Sequence, residues 1–548
     1  MPLTDLAEGL PADLWWPAGS HATAREGWSA IEIGGLVLDS RRVAPGDLFV
    51  AIVGRRHDGK AFVGEAWRRG AAAVMIEGDG QVPPGPGPVL RVCSARRALG
   101  LLAAIFHGEP AAALCLTGIT GTDGKTSTAL FLHQLLLAAG RPAVALGTLG
   151  ICDEHGEWHP WTGPPAASAG GQPGVIAPAG EPARSWQPTT PEAPLFQATL
   201  AALRDRGVTD VVAEVSSHAL DQERLFGTQF SVVALTHVSS DHLDFHGDRE
   251  AYRAAKAKLF DRATRGGCLE RREVRAVVNL DDALGGELAG RLGESALTYG
   301  RHPEARVRLE RAASGTAGIS LTVSFAGETA VLQTTVAGEF HVANLLAAAA
   351  IAHALGVAPQ TIAAATPHLA AIPGRFELIR EGQAFAVVVD YAHTVDGLEH
   401  LLAAARGLGA GRLVVVFGCG GDRDRRKREP MGKAAGRLAD RVIITSDNPR
   451  SEPAAEIARA VAQGLAATGT PGEIELDRRA AFTRALQGLQ AGDVMVAAGR
   501  GAETLQVFAD RVERFDDREV LRSLLARHPS VASGASAGGE APPARGRG

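Results

Sequence analysis

T-G-I-T-G-T-D-G-K-T-S, residues Thr117 to Ser127, lies between two stretches that read as regular structure. Before it, Ala113–Leu116 is apolar enough for a buried strand; after it, Ala129–Ala139 repeats leucine and alanine at helical spacing. A glycine turn that joins a strand to a helix points backbone N–H groups at an anion, and the helix N-terminus adds positive dipole. Lys125 supplies a mobile cation, and the Thr126 hydroxyl suits a metal bound to phosphate. The strict phosphate-loop pattern wants glycine where this chain has Ile119, so what stands is G-x-x-G-x-x-G-K-T from Gly118 to Thr126. The plain alternative is a glycine turn that binds nothing. Lys followed by Thr at the mouth of a strand–helix unit argues against it, and a nucleoside triphosphate is the expected ligand.

The chain has 548 residues, too many for one core, so about three domains are expected. Apolar residues make up 45% and charged ones 21%, the balance of an ordinary globular chain. A formal net charge of −5 gives no electrostatic reason to expect nucleic acid. Arg423–Arg428 is basic, but one short run fits a solvated or phosphate-facing loop. Cys93, Cys115, Cys152, Cys268 and Cys419 lie far apart and form no C-x-x-C, which predicts neither a disulfide framework nor a zinc site. A reducing cytoplasm fits that usage. Met1–Ala12 lacks a signal-like pattern, and no apolar run approaches the ~20 residues of a membrane helix.

Three regions follow. Residues 1–112 hold short strands and a helix around Leu38–Ala51. Residues 113–337 carry the glycine loop and apolar strands near Ala143–Leu146, Asp210–Val215, Ser231–Leu235 and Ala276–Leu280, with helices between them. Residues 338–528 begin with a helix at Ala343–Leu355 and continue with strands near Ala386–Val389, Leu413–Phe417, Val442–Thr445 and Val494–Ala497. Such alternation is that of α/β domains built on parallel sheets. Gly338 is the expected boundary. Asp153–Gln187, rich in Gly, Pro, Ala and Ser, reads as a flexible insert, and 529–548 as a disordered tail. A second chemical cluster sits at predicted strand ends: Glu214–Ser217, then Asp241, His242, Asp244 and His246. Strand carboxyl ends are where open α/β sheets bind ligands, and a carboxylate and an imidazole there suit a metal–phosphate site.

Longer stretches carry a resemblance. They are D-S-R (Asp39–Arg41) with G-D-L-F-V-A (Gly46–Ala51), T-G-T-D-G-K-T (Thr120–Thr126), T-T-P (Thr189–Pro191) and E-V-S-S-H-A-L-D-Q-E-R (Glu214–Arg224). D-H-L-D-F-H-G (Asp241–Gly247), Y-R-A-A-K (Tyr252–Lys256), G-R-F-E (Gly374–Glu377), V-D-Y-A-H-T (Val389–Thr394), F-G-C-G-G-D-R-D (Phe417–Asp424) and D-N-P-R (Asp447–Arg450) follow in order. With them the chain resembles the Mur ligase family, and within it the UDP-N-acetylmuramyl-tripeptide synthetases. The resemblance implies a small N-terminal UDP-binding α/β domain, a central P-loop ATPase-like parallel-sheet domain and a C-terminal Rossmann-like α/β domain. It implies an ATP- and Mg²⁺-dependent ligase of peptidoglycan precursor synthesis, cytoplasmic and monomeric. UDP-N-acetylmuramoyl-L-alanyl-D-glutamate is phosphorylated to an acyl phosphate, which the amine of an added amino acid attacks.

Residue roles carry over with it. Gly121, Thr122, Asp123, Gly124, Lys125, Thr126 and Ser127, with Asn344, Arg375 and Asp390, are implied to meet ATP. Lys125, Glu214, His242 and Lys256 are the catalytic candidates, and Thr126, Glu214, His242 and Lys256 the metal set. Lys256, by spacing an ordinary exposed helix lysine, matches the lysine that the family carbamylates. Ser40, Thr189, Thr190, Ser216, Gln222 and Arg224 are implied to hold the UDP-muramoyl-peptide. Arg423, Asp447, Asn448, Arg450, Gly499 and Glu503 match contacts to meso-diaminopimelate; an Asp/Asn pair beside a planar Arg fork complements a distal ammonium and carboxylate. The chain departs from the family's usual residues at His237 and His341 (each usually Asn), at Val395 (usually Pro), and at G-R-G-A-E, Gly499–Glu503, where G-K-G-H-E is usual. Two other readings stay open: a paralogous Mur-type or folylpolyglutamate-type ligase, and a non-catalytic nucleotide-binding regulator.

Overall fold

In the computed structural model the described residues are 1–16, 27–54, 57–159, 161, 189–239, 241, 243–264 and 274–528. His242, most of the expected insert and the 529–548 tail lie outside them.

The N-terminal sheet is all parallel, in the order Leu36–Val37, Leu48–Ala51, Ala73–Glu77, Val89–Val92. Among the described residues the central sheet has eleven strands. Its parallel core runs Ala296–Gly300, Arg275–Asn279, Val232–Leu235, Cys115–Thr120, Asp210–Glu214, Ala143–Gly147. Strands buried on both faces read as continuous apolar runs, as Val232–Leu235 does. The C-terminal sheet runs Glu377–Leu378, Ala386–Val389, Val494–Ala497, Leu413–Phe417, Arg441–Ile444, Gly472–Ile474, parallel except at its first pair.

Two differences from the sequence reading have physical causes. The central sheet is not parallel throughout. Val307–Gly315, Gly318–Phe325 and Glu328–Thr334 form an antiparallel meander at one edge. Gly318–Phe325 alternates buried and half-buried residues, the period of a sheet with one wet face, which a search for solid apolar runs passes over. At the other edge the expected insert opens as structure: Gly150–Cys152 pairs with Trp158–His159. Asp153 caps that hairpin by accepting from the N–H groups of His155 and Glu157.

The helix Phe340–Ala354 also belongs elsewhere than expected. It packs its apolar faces on the central sheet, in one core with Leu132, Leu136, Val323 and Leu332 that extends to Ile372. Its C-terminal carbonyls receive Arg141 (Leu355 O, 2.9 Å) and Arg275 (Ala354 O, 2.7 Å) from the central body. The packing therefore carries the central body past Gly338, and the C-terminal sheet starts only at Glu377.

Candidate active site

Four parallel strands deliver their carboxyl ends to one place. Cys115–Thr120 leads into the glycine loop, which turns into the helix Lys125–Ala138 at Gly124 (φ +82°). Asp210–Glu214 ends on Glu214, Ala143–Gly147 leads into Thr148, and Val232–Leu235 leads into Thr236. Glu214 is buried, and its carboxylate accepts from the Thr126 hydroxyl (2.9 Å), the Thr148 N–H (2.9 Å) and the Thr148 hydroxyl (3.1 Å). Gly147 makes room for it: a Cβ there would stand 2.0 Å from Glu214 Oε1. Gly147→Ala should therefore displace the carboxylate, with a stability loss of about 1–3 kcal/mol and a larger fall in turnover. Thermal unfolding and ADP release measure the two, and an undiminished rate would show that Glu214 need not sit where it does.

Two lysines meet at the loop. Lys125 Nζ donates to the carbonyls of Gly121 (2.9 Å) and Thr122 (2.8 Å), and Lys256 Nζ donates to the same Gly121 carbonyl at 2.6 Å. Lys256 is not the exposed lysine that spacing predicts; it is 1% exposed, on the helix Arg249–Thr264, with its ammonium 4.5 Å from the centre of the Tyr252 ring. Burial, then repulsion from Lys125, hold the Lys256 pKa well below its usual value, against the opposing pull of Asp241, Asp123 and Asp282. Burial lowers that of Lys125 as well.

Thr126 and Glu214 offer hard oxygen donors, a set that fits Mg²⁺. An unmodified amine at 256 does not add to such a set; a carbamate would, and it would keep one N–H for Gly121. His242 lies outside the described residues.

The expected muramoyl-peptide residues adjoin this centre. Thr189 Oγ1 lies 3.0 Å from Thr148 Oγ1, and the Thr190 hydroxyl donates to Glu214 O and accepts from Ser216 N. Arg224 donates to Thr190 O (2.7 Å) and to Gln222 Oε1. From the N-terminal body, Arg96 reaches Gln222 O (3.4 Å) and Arg97 reaches Glu223 (3.3 Å). Ser40 opens the short helical turn Ser40–Arg42 of the N-terminal body, where its hydroxyl donates to Glu65 at 2.6 Å.

The nucleotide residues expected beyond the loop approach it from the far side. Asn344 is close to Gly124: a Cβ on that glycine would meet Asn344 Oδ1 at 2.3 Å. His341, fully buried and held neutral with a pKa pushed down to about 4 by burial, pairs with Asn344 Nδ2 (3.4 Å) and Arg375 O (3.0 Å). This histidine thus ties the helix that carries Asn344 to the linker that carries Arg375. The Arg375 guanidinium lies 4.4 Å over the Tyr391 ring. Asp390 accepts from the N–H groups of Phe376 and Ala392, both at 2.7 Å.

The third group forms around Asp447–Arg450 and Glu503. Asn448 donates to Glu503 Oε2 at 2.7 Å, and Arg450 donates to Gly421 O at 2.7 Å with its own backbone at φ +53°. Gly499, at φ +107°, lets Asp447 close in, since a Cβ would stand 2.7 Å from Asp447 Oδ2. Burial and then the Asp447 charge raise the Glu503 pKa to about 7. Arg423 is near enough to Arg450 for that charge, after burial, to lower its own pKa. Tyr391 joins the second and third groups, because its ring faces Arg375 while its hydroxyl senses Glu503, Asp447 and Arg423. Sequence reasoning did not single out Thr148 or Tyr391. Thr148 could have been found by its place just after a strand of the same sheet; Tyr391 lies inside the quoted V-D-Y-A-H-T stretch.

Three family models match the chain: "Mur ligase family, catalytic domain" over 32–107, "Mur ligase middle domain" over 119–352 and "Mur ligase, glutamate ligase domain" over 374–501. A curated relative from Solibacter usitatus, named UDP-N-acetylmuramoyl-L-alanyl-D-glutamate--2,6-diaminopimelate ligase, is 41% identical over 90% of this chain and 94% of its own. One of the same name from Alkalilimnicola ehrlichii is 40% identical over 89% and 94%. A solved structure of a protein with that name matches with a TM-score of 0.63 and 29% identity, covering 93% of this chain and 97% of its own. The chain belongs to the Mur ligase family, ATP-dependent amide ligases.

Proposed function

We propose that this Mur ligase adds meso-diaminopimelate to UDP-N-acetylmuramoyl-L-alanyl-D-glutamate, in the cytoplasm and as a monomer. The observation that carries the reading is the convergence of Lys125, Thr126, Glu214 and Lys256 at one set of strand ends. An acceptor site with two guanidinium and two carboxylate groups lies across Tyr391 from Arg375. The likeness to relatives named for this reaction supports it.

The chemistry joins two anions, so charge must be neutralised first. The helix N-terminus and Lys125 draw the phosphates of ATP into the loop. Mg²⁺, held by Thr126, Glu214, His242 and a carbamylated Lys256, would supply further positive charge to the phosphate oxygens. Thr189, Thr190, Ser216, Gln222 and Arg224 orient the peptide, and Ser40 meets the uridine nucleotide. The glutamyl carboxylate oxygen attacks the γ-phosphorus and ADP leaves. The acceptor amine then attacks the acyl carbon; phosphate leaves and a proton is lost. Glu503 and Asp447 face the acceptor's distal ammonium, while Arg450 and Arg423 face its distal carboxylate. Asp390 suits the ribose hydroxyls of ATP, and Asn344 and Arg375 complete the nucleotide site.

Incubation with ATP, Mg²⁺, the UDP-muramoyl-dipeptide and a panel of amino acids tests the reading. ADP release should require both substrates, and mass spectrometry should find the tripeptide with meso-diaminopimelate. Release that ignores the dipeptide, or ligation to a folate, would reject it.

Because Lys125 belongs to the central body and Arg375 and Asp390 to the segment that leads into and forms the C-terminal sheet, bound nucleotide should favour a closed arrangement. Small-angle scattering with an ATP analogue and the UDP-substrate should give a smaller radius of gyration than the ligand-free protein. An unchanged radius would count against two-sided binding.

A further inference from the structure

Behind the acceptor residues lies a cation that none of the roles above uses. Arg500 is fully buried, and it occupies the position where Mur ligases usually have lysine. Its Nη1 donates to Asn448 Oδ1 at 3.2 Å. Its Nη2 donates to Leu505 O at 3.0 Å and to Phe515 O at 2.8 Å. Asp517, equally buried, lies 3.6 Å from Arg500 Nε and accepts from Arg478 Nε at 2.8 Å, so one carboxylate balances two guanidinium groups.

The orientation of an asparagine amide is settled by its partners. Asn448 Oδ1 receives Arg500 Nη1 and the Val507 N–H, the latter at 2.9 Å. Both are donors that cannot accept. The amide nitrogen must therefore face the other way, where it meets Glu503 Oε2. Glu503 is left accepting, as a carboxylate that receives an ammonium must be.

We propose that Arg500 is a positioning residue: with the Val507 N–H it fixes the amide orientation of Asn448, and so keeps Glu503 Oε2 an acceptor aimed at the added amino acid's distal ammonium. This rests on the reading of Asp447–Arg450 and Glu503 as the acceptor site and deepens it. A lysine would bring one nitrogen, which cannot occupy both the Nη1 and Nη2 positions. Arg500 also acts by charge. Burial and Asp447 raise the Glu503 pKa, while Arg500 and Arg450 oppose the rise. Tyr391, Arg423 and Arg478 face the same carboxylate.

Two substitutions separate these effects. Arg500→Lys keeps the charge and loses the second donor nitrogen. Arg500→Met keeps the bulk and loses the charge. With meso-diaminopimelate as the varied substrate, Arg500→Lys should raise its KM about tenfold, the effect of one misdirected buried hydrogen bond. The KM for ATP and for the UDP-substrate should hold, and so should the pH at which acceptor binding fails on the acid side. Arg500→Met should in addition move that acid limb to higher pH, because the Glu503 proton is then harder to remove. A folded Arg500→Lys protein with an unchanged acceptor KM overturns the proposal, as does one whose ATP KM rises equally. If Arg500→Met does not fold, Arg500→Lys alone decides. Should the wild type use a different amino acid, the functional reading falls, and the same comparison is made with that acceptor.

Discussion

Lys256→Ala is expected to lower ligation by roughly 10³-fold, to near background, while the protein stays folded. The side chain is fully enclosed and makes its hydrogen bond to the Gly121 carbonyl that Lys125 also uses. Burial disfavours charge on the Lys256 amine, and repulsion from the Lys125 ammonium that shares its carbonyl adds to this, so the amine is held well below its usual pKa. A neutral amine adds CO₂ to give a carbamate and a proton. The product places an anion at the Gly121 carbonyl of the glycine loop, where an ammonium would repel a divalent cation. Stability should change little, since removing a poorly compensated buried amine also removes its desolvation cost. Circular dichroism and thermal unfolding check the fold. Turnover of the wild type should fall when CO₂ is stripped from the buffer, and acetate or propionate should partly restore the alanine variant. Full activity in Lys256→Ala would end the carbamate reading; inactivity without rescue would leave the lysine only its contact with Gly121.

How far these features could be read from the chain depends on which force placed each one. Parallel strands are long apolar runs because they are buried on both faces, so Leu413–Phe417 and Val232–Leu235 stand out in the sequence. The meander 307–334 alternates instead and is visible only to a period-two search. The glycine loop was legible because a positive φ at Gly124 and the close approach of Asn344 allow no side chain there. Burial of Lys256 was not legible. A lysine on a helix reads as solvated, and only the fold brings the Tyr252 ring and the loop carbonyl over it. The placement of Phe340–Ala354 failed for a related reason. A helix apolar on every face carries no mark of which sheet it serves, and the contact with the Lys125–Ala138 helix is set by tertiary packing. Asn448 was found by its motif, but its partner Arg500 was seen only as a departure from the family's lysine. Sequence shows that the residue changed; the structure shows that the guanidinium fills four acceptors' worth of space between two loops.

The choice of acceptor should show a comparably large effect. Meso-diaminopimelate is expected to exceed L-lysine by about 10³-fold or more in kcat/KM, because a site built for a polar group rejects the analogue that lacks it. Both amino acids carry the distal ammonium for Glu503 and Asp447; only diaminopimelate carries the distal carboxylate. In the proposed reading Arg450 meets that carboxylate. Its backbone is held at φ +53° and tied by its N–H to Val507 O at 3.0 Å. Gly420 gives the guanidinium its space, since a Cβ there would lie 2.9 Å from Arg450 Nη1. Arg423 stands close enough for the two cations to repel, a tension that a bound carboxylate relieves and a bound methylene does not. Arg450→Ala should therefore reduce diaminopimelate use far more than lysine use and narrow the ratio between them. Arg450→Lys should restore little, because a single ammonium cannot form the two parallel bonds of a guanidinium with a carboxylate. Ala502 stands where the family usually has histidine beside the glutamate. Equal losses for both acceptors in Arg450→Ala, or wild-type use of lysine at a rate near that of diaminopimelate, would move the selectivity away from Asp447–Arg450 and onto the Gly499–Glu503 loop.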